Sequence, residues 1–356
     1  MRTLQKVIGS IKGIDERIMI KAQQRLDSLT KPPGSLGRLE ELARVIAGIT
    51  SKAMPRLEKK VIFTLAADHG VCAENISAFP SEVTAQMVHN FLNGGAGINV
   101  LAKHIGARVV VADLGVKSDF ESRFSKRLKQ KKVNLGTHNF TLGPAMSGEE
   151  ALLSVQNGID IFEDEFSKGI DIIGTGEMGI GNTTSSSAIT ACITRKDPAE
   201  VAGRGTGLDD QALQHKIGVI RKALEVNQPD PGDALDVLSK VGGFEIGGLA
   251  GIMLAAASRK VPVVLDGFIS GAAALIAVGL QPKAKEYMIA SHRSVERGHT
   301  VLLEYLGIEP ILDLDLRLGE GTGAALGIFI AEAATKILTG MATFQQARVS
   351  GRKKTL

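Results

Sequence analysis

One pattern constrains this chain more than any other. Short apolar runs of strand-forming residues recur, each cut off by Gly, Asp, His or Ser, with helical stretches between them. Val61-Ile62-Phe63-Thr64-Leu65 leads into Asp68-His69-Gly70. Residues 108–112 end at Asp113-Leu114-Gly115, 170–173 at Gly174, 262–265 at Asp266-Gly267, and 287–290 at Ser291-His292. Runs that are apolar almost throughout fit strands covered on both faces. Helical patterns fill 82–103, 183–194, 209–225, 244–258 and 268–279. This alternation predicts an α/β fold: three layers, α/β/α, around a mostly parallel Rossmann-like sheet. Ligands of such sheets bind beyond the C-terminal strand ends, where the polar residues of this chain gather.

The first fifty residues have a different rhythm. Ile14, Ile18, Ala22, Leu26 and Leu29 mark an amphipathic helix. Lys31-Pro32-Pro33-Gly34-Ser35-Leu36-Gly37 breaks it, and a second helix follows over 38–50. The expected division is a small helical lobe at 1–55, joined by a C-terminal helical segment at 325–356, and an α/β substrate-binding and catalytic domain at 56–324. The apolar helix over 322–338 is expected near the lobe.

Composition removes several classes of function. The 42 basic and 38 acidic residues give a net charge of +4, too mild to imply a nucleic-acid partner. With aromatics at 4% and no Trp, base-stacking platforms are lacking. The basic run at 348–354 reads as a frayed end. Cys72 and Cys192 cannot make a disulfide scaffold and fit a reducing compartment. No apolar signal core opens the chain, and apolar stretches such as 268–280 fall short of the roughly 18 residues of a membrane span. A cytoplasmic protein without a membrane partner is expected.

Nine of the 41 glycines fall in three informative turns. Gly174-Thr175-Gly176-Glu177-Met178-Gly179 matches G-x-G-x-x-G after a strand. It continues into Ile180-Gly181-Asn182-Thr183-Thr184-Ser185, whose hydroxyls and free amides at a helix start suit one phosphate. An ordinary capped loop and a dinucleotide fingerprint are the alternatives. Against the fingerprint stand its mid-chain position and Asp197, which has the right spacing but no strand before it. The second turn, Gly203-Arg204-Gly205-Thr206-Gly207, precedes a helix carrying Lys216; it either encloses the same anion or is a flexible surface connection. The third, Arg317-Leu318-Gly319-Glu320-Gly321, holds Glu320, which either caps a helix or acts as a base raised by burial. No Walker A and no Cys/His metal spacing is present, so neither metal nor cofactor is expected.

Seven stretches in order across 31–321 resemble one family: the nicotinate-nucleotide–dimethylbenzimidazole phosphoribosyltransferases of cobalamin nucleotide-loop assembly. They are Lys31-Pro32-Pro33-Gly34-Ser35-Leu36-Gly37, Ala67-Asp68-His69-Gly70-Val71, Glu82-Val83-Thr84-Ala85-Gln86, the run from Gly176 to Thr184, Lys240-Val241-Gly242-Gly243-Phe244-Glu245, Leu265-Asp266-Gly267-Phe268, and Arg317-Leu318-Gly319-Glu320-Gly321. The resemblance implies transfer of the phosphoribosyl group of nicotinate mononucleotide to a benzimidazole, with Glu320 as general base and no metal required. Glu177 is expected to support positive charge on the ribose, with a helix-end cap as the alternative. Gly176, Gly179, Gly181, Asn182, Thr183, Gly203, Gly205 and Lys216 are expected around the phosphate, and Ser291 near the nucleotide. Ser77, Phe79, Gln86 and Leu318 are expected in the benzimidazole slot, with core packing the alternative for Phe79 and Leu318. Asp68 and His69 read equally as a loop pair or a catalytic dyad. A homodimer is implied.

Overall fold

The computed structural model describes residues 2–120, 127–205 and 207–350. Six parallel strands make the main sheet: β1 (Lys60–Ala67), β2 (Arg108–Gly115), β3 (Leu128–Gln130), β4 (Ile172–Met178), β5 (Val263–Leu265) and β6 (Met288–Ala290). Their order is β3-β2-β1-β4-β5-β6. The order reverses between β1 and β4, which opens a crevice at their C-terminal ends. A minor pair, β7 (His292–Arg293) and β8 (Leu312–Asp313), lies beyond β6.

The side chains of β1 alternate between two cores. Val61, Phe63 and Leu65 join helices α6 (Gly148–Phe166), α11 (Phe244–Ser258) and α12 (Phe268–Leu280). Ile62 and Ala66 join α5 (Gly97–His104) and α14 (Thr322–Gly340). The three-layer α/β expectation is met, because a sheet apolar on both faces needs a helical layer on each.

Three local expectations are corrected. The strand placed at 170–173 runs on to Met178, so Gly174, Gly176 and Glu177 are strand residues paired with β1, not a turn. The helix placed at 82–103 breaks at Gly94, whose φ of +82° ends α4 (Val83–Asn93) before α5 begins. At 19 residues, α14 is long and apolar enough to cross a membrane by length and composition, contrary to the sequence reading. It spends that surface inside the protein. Ala324, Ala325 and Ile328 pack on the sheet, and Ala334 and Leu338 pack on α2 (Glu16–Ser28) and α3 (Arg38–Thr50).

The helix therefore runs unbroken across 324/325, where a boundary was expected. The first helix, α1 (Leu4–Ser10), puts Leu4 and Val7 into the α6/α11 core rather than against α2 and α3. Of the basic run at 348–354, residues 351–354 lie outside the described residues.

Candidate active site

A cavity of about 280 Å³ opens at the C-terminal ends of the strands. Glu177, next to last in β4, and His292, beyond β6, line it. Asp68 and His69 after β1, Asp266 after β5 and Ser291 after β6 are buried at the same strand ends without lining it.

Glu177 lines the cavity although it is only 7% exposed. Burial, with the Asp266 carboxylate nearby, pushes its carboxyl up to about 8. The Asn182 side-chain amide donates to it. Asn182 begins α7 (Asn182–Thr194), entered through Gly181 at φ +93°. Of the sequence-predicted phosphate residues, Gly179, Gly181, Asn182, Thr183 and Gly205 line the cavity. Gly176 does not: a Cβ there would stand 2.2 Å from the Glu320 carbonyl oxygen, so this glycine exists to let the third turn cross β4.

Behind the start of α7 lies a sealed relay. His69 Nε2 donates to Glu245 Oε1 at 2.6 Å, and His69 Nδ1 is 3.0 Å from Ser185 Oγ. Ser, His and acid in a row suggest a hydrolase triad, but the ring is reversed relative to that geometry, where Nε2 faces the serine. All three residues are fully buried and none lines the cavity. They brace the ends of β1, α7 and α11 against one another. Asp68 serves the neighbouring loop, accepting from the Lys117 amide at 2.8 Å.

The third turn stands in left-handed backbone, with φ of +80° at Gly319, +64° at Glu320 and +101° at Gly321. A non-glycine residue held there costs about 1 kcal/mol or more. What it gains is placement. Leu318 is 60% exposed at the cavity mouth. The Glu320 side chain turns inward, 4% exposed, and its Oε2 accepts from the Ile98 amide at 3.0 Å in the first turn of α5. Burial raises its carboxyl above the ordinary range against the pull of the Ile98 and Gly97 amides.

Glu320 does not cap its own helix. Asp266 does, accepting from Gly323 at 2.7 Å, Ala324 at 3.1 Å and Gly321 at 3.1 Å. Burial still drives the Asp266 carboxyl up to about 7. The sequence left open whether a carboxylate capped α14, and the capping one proves to be 54 residues from the one suspected.

The second glycine turn folds over Lys216, which is wholly buried on α9 (Asp210–Asn227). Its Nζ donates to Thr183 Oγ1 at 2.8 Å and to the Gly203 carbonyl at 3.3 Å. Lys216 thus ties the first two glycine segments together from behind, and burial lowers its ammonium to about 8. Thr206 lies outside the described residues. Glu296, which the sequence reading missed, lines the cavity and accepts from the Gly205 amide at 2.9 Å.

The remaining assignments separate. Ser77 and Phe79 line the cavity, and Phe79 is 52% exposed, so core packing is ruled out for it and for Leu318. Gln86 is exposed on α4 and is not among the lining residues. Ser291 is buried, donating to the Asp266 carbonyl at 3.1 Å, while its neighbour His292 reaches the cavity. Arg317, also missed, lines it too and donates to the Gly205 carbonyl at 3.3 Å. Arg317 opens the third turn, so its place in that motif was the available signal, whereas Glu296, four residues beyond His292, lay in no suspected motif.

Asp197, the acidic residue a dinucleotide fold would need, caps α8 (Pro198–Val201) and pairs with Arg221. Among the described residues no group of three or more His, Cys, Asp or Glu side chains is placed to hold a metal.

Comparison with known proteins agrees with this geometry. The family model DBI_PRT, described as a phosphoribosyltransferase, matches residues 11–349. The nicotinate-nucleotide–dimethylbenzimidazole phosphoribosyltransferase of Desulforudis audaxviator is 56% identical over 353 residues, covering 99% of each chain. The enzyme of the same name from a Roseiflexus species is 55% identical over 352 residues, again covering 99% of each. The crystal structure of the Thermus thermophilus protein of that name superposes with a TM-score of 0.90 at 41% identity, over 95% of this chain and 100% of that one. Matched from end to end in sequence and in fold, the chain belongs to the nicotinate-nucleotide–dimethylbenzimidazole phosphoribosyltransferase family.

Proposed function

We infer that this protein moves the 5-phosphoribosyl group of nicotinate mononucleotide to 5,6-dimethylbenzimidazole, with inversion at C1′. The products are α-ribazole 5′-phosphate and nicotinate, for cobalamin assembly. The observation that carries this reading is the third turn. It sets an exposed apolar Leu318 at the mouth of a strand-end cavity and a buried, raised-pKa Glu320 beside it, within electrostatic reach of Glu177.

The chemistry needs one base. Nicotinate leaves from a cationic pyridinium, so its nitrogen requires no general acid. A glycosidase, whose leaving oxygen must be protonated, needs two carboxyl groups. The incoming benzimidazole attacks C1′ through its unprotonated nitrogen, and its other N–H becomes acidic. Glu320 takes that proton as a carboxylate, a contribution of about 10²–10⁴ in rate. Holding the two substrates in line supplies much of the rest.

Without substrate, Glu177 is largely protonated at neutral pH. A cationic pyridinium or ribosyl carbon beside it favours the ionised form, so Glu177 gains charge where the reaction develops positive charge. Gly179, Gly181, Asn182 and Thr183 at the start of α7, with Gly205, hold the phosphate, and Lys216 acts through Thr183. Gly176, Gly203 and Ser291 shape that site from behind. Ser77, Phe79 and Leu318 form the acceptor slot. This reading includes no cofactor, a cytoplasmic location and a homodimer, which sedimentation at rising concentration tests.

The direct experiment is incubation of the purified protein with nicotinate mononucleotide and dimethylbenzimidazole, without added metal, followed by mass spectrometry. Ribazole phosphate and nicotinate are expected in equal amounts. Nucleotide binding by calorimetry with no product from any benzimidazole overturns the reading in favour of a nucleotide sensor.

A further inference from the structure

Glu296 is the N-cap residue of helix α13 (Arg297–Leu306). A carboxylate at that position ordinarily accepts from the first-turn amides of its own helix, where the helix dipole also favours it. Glu296 makes no such bond. It reaches away to the second glycine turn, where Oε1 accepts from the Gly205 amide at 2.9 Å. Its Oε2 is buried without a hydrogen-bond partner. Gly203 makes the room: a Cβ there would stand 1.9 Å from Oε2. The buried Lys216 ammonium is close enough for the Glu296 charge to act on it.

Gly205, Thr183 and Glu296 line one cavity, so an anion there meets a glycine-turn amide, a hydroxyl and a lysine behind it. That is the donor set of a phosphate site. In the structure the anion among them is the protein's own.

We propose that Glu296 is a built-in stand-in for the nucleotide phosphate, occupying the glycine-turn cradle before substrate binds and displaced when the phosphate arrives. The inference rests on the reading that the phosphate binds between the first and second glycine turns. A phosphate seated on the Gly205 amide cannot share it with a carboxylate, because two anions at that distance repel. The displaced side chain has somewhere to go, since the first turn of α13 accepts a carboxylate. Glu296 is thus a specificity residue. Phosphate-bearing substrates displace it, and a ribonucleoside without phosphate leaves it in place.

The test is calorimetry with nicotinate mononucleotide, nicotinate riboside and inorganic phosphate on the wild type, Glu296→Gln, Gly203→Ala and Lys216→Ala. Glu296→Gln removes the competing charge and is expected to tighten mononucleotide and inorganic phosphate on the order of tenfold while leaving the riboside unchanged. Gly203→Ala, whose methyl group collides with Oε2, is expected to act in the same direction and keeps the test open should Glu296→Gln fail to fold. Equal weakening of mononucleotide and riboside by Glu296→Gln overturns the proposal and makes Glu296 an acceptor for ribose hydroxyls. No change in either variant overturns it as well. If Lys216→Ala abolishes a preference for mononucleotide over riboside and Glu296→Gln leaves that preference alone, only this proposal falls. If the wild type shows no such preference, the phosphate reading falls and takes this one with it.

Discussion

The floor and the rim of the cavity are built on opposite principles. The floor is the sealed layer behind the lining, where His69, Glu245, Ser185 and Asp266 are buried and bonded to one another or to backbone amides without touching the cavity. On the rim, Phe79 and Leu318 expose more than half of their surface and Glu296 has an unsatisfied oxygen. In the proposed function the floor carries position and the rim carries recognition. Glu320 joins the two, because its backbone accepts from buried Thr64 at 2.9 Å while its neighbour Leu318 faces the ligand space. Floor variants should therefore lose stability and turnover together, whereas rim variants should change only substrate constants.

The largest effect is expected at the junction. Glu320→Ala should lower turnover by about 10²–10⁴ while calorimetry still shows nucleotide binding. Near-normal turnover would remove Glu320 from the mechanism. On the floor, Glu245→Ala strips a buried imidazole of its acceptor and should cost about 1–3 kcal/mol in denaturant unfolding, the penalty of a buried donor left without a partner. A loss under about 1 kcal/mol, an ordinary hydrogen bond's worth, would mean that the relay is no brace.

Asp266→Ala should also destabilise, by about 2 kcal/mol, the upper range for a lost helix cap. Because α14 and the third turn share this anchor, kcat should fall with it. A stability loss with unchanged kcat would separate the cap from the turn.

Acidity offers a third way to test the floor. Glu177 and Asp266 bind protons more tightly folded than unfolded, at about 8 against 4.5 and about 7 against 3.8. Their contribution to stability is complete below about pH 4 and is lost as pH rises to about 8. The substrate-free protein should melt at falling temperature from pH 5 to 8, and Glu177→Gln should flatten that slope. An unchanged slope in the variant would show that Glu177 does not titrate there. The smallest effect belongs to the rim. Leu318→Ala should raise the benzimidazole KM by about 1–2 kcal/mol in binding terms and leave the melting temperature alone.

Much of this was legible in the sequence. The strand runs at 61–65 and 262–265 are apolar because they are interior, and periodicity reports interior position directly. The cavity-lining residues Leu318, Asn182 and Thr183 lay in motifs named from the sequence, whereas Phe79 lay in none and was expected only through the family resemblance. The errors fall where one local pattern has two tertiary explanations. Gly176 looked like a phosphate-binding glycine and is a strand glycine crossed by the Glu320 backbone. Both readings need a residue without a side chain, and only the crossing partner tells them apart. Helix α6 was not named, although Ser147 and Glu150 form a capping box that announces its start.

The sequence by itself determined the alternation of strands and helices and the apolar faces that demand three layers, and it left Glu320 open between a cap and a base. The alternation and the faces follow from residue type and spacing, which act along the chain. Tertiary structure alone decided that Asp266 caps α14, that Lys216 reaches Thr183, that His69 meets Glu245, and that Glu296 fills the glycine turn. Each joins residues 33 to 176 positions apart. Such pairs are set by how helices and loops close over the sheet, and no local propensity encodes a partner at that separation.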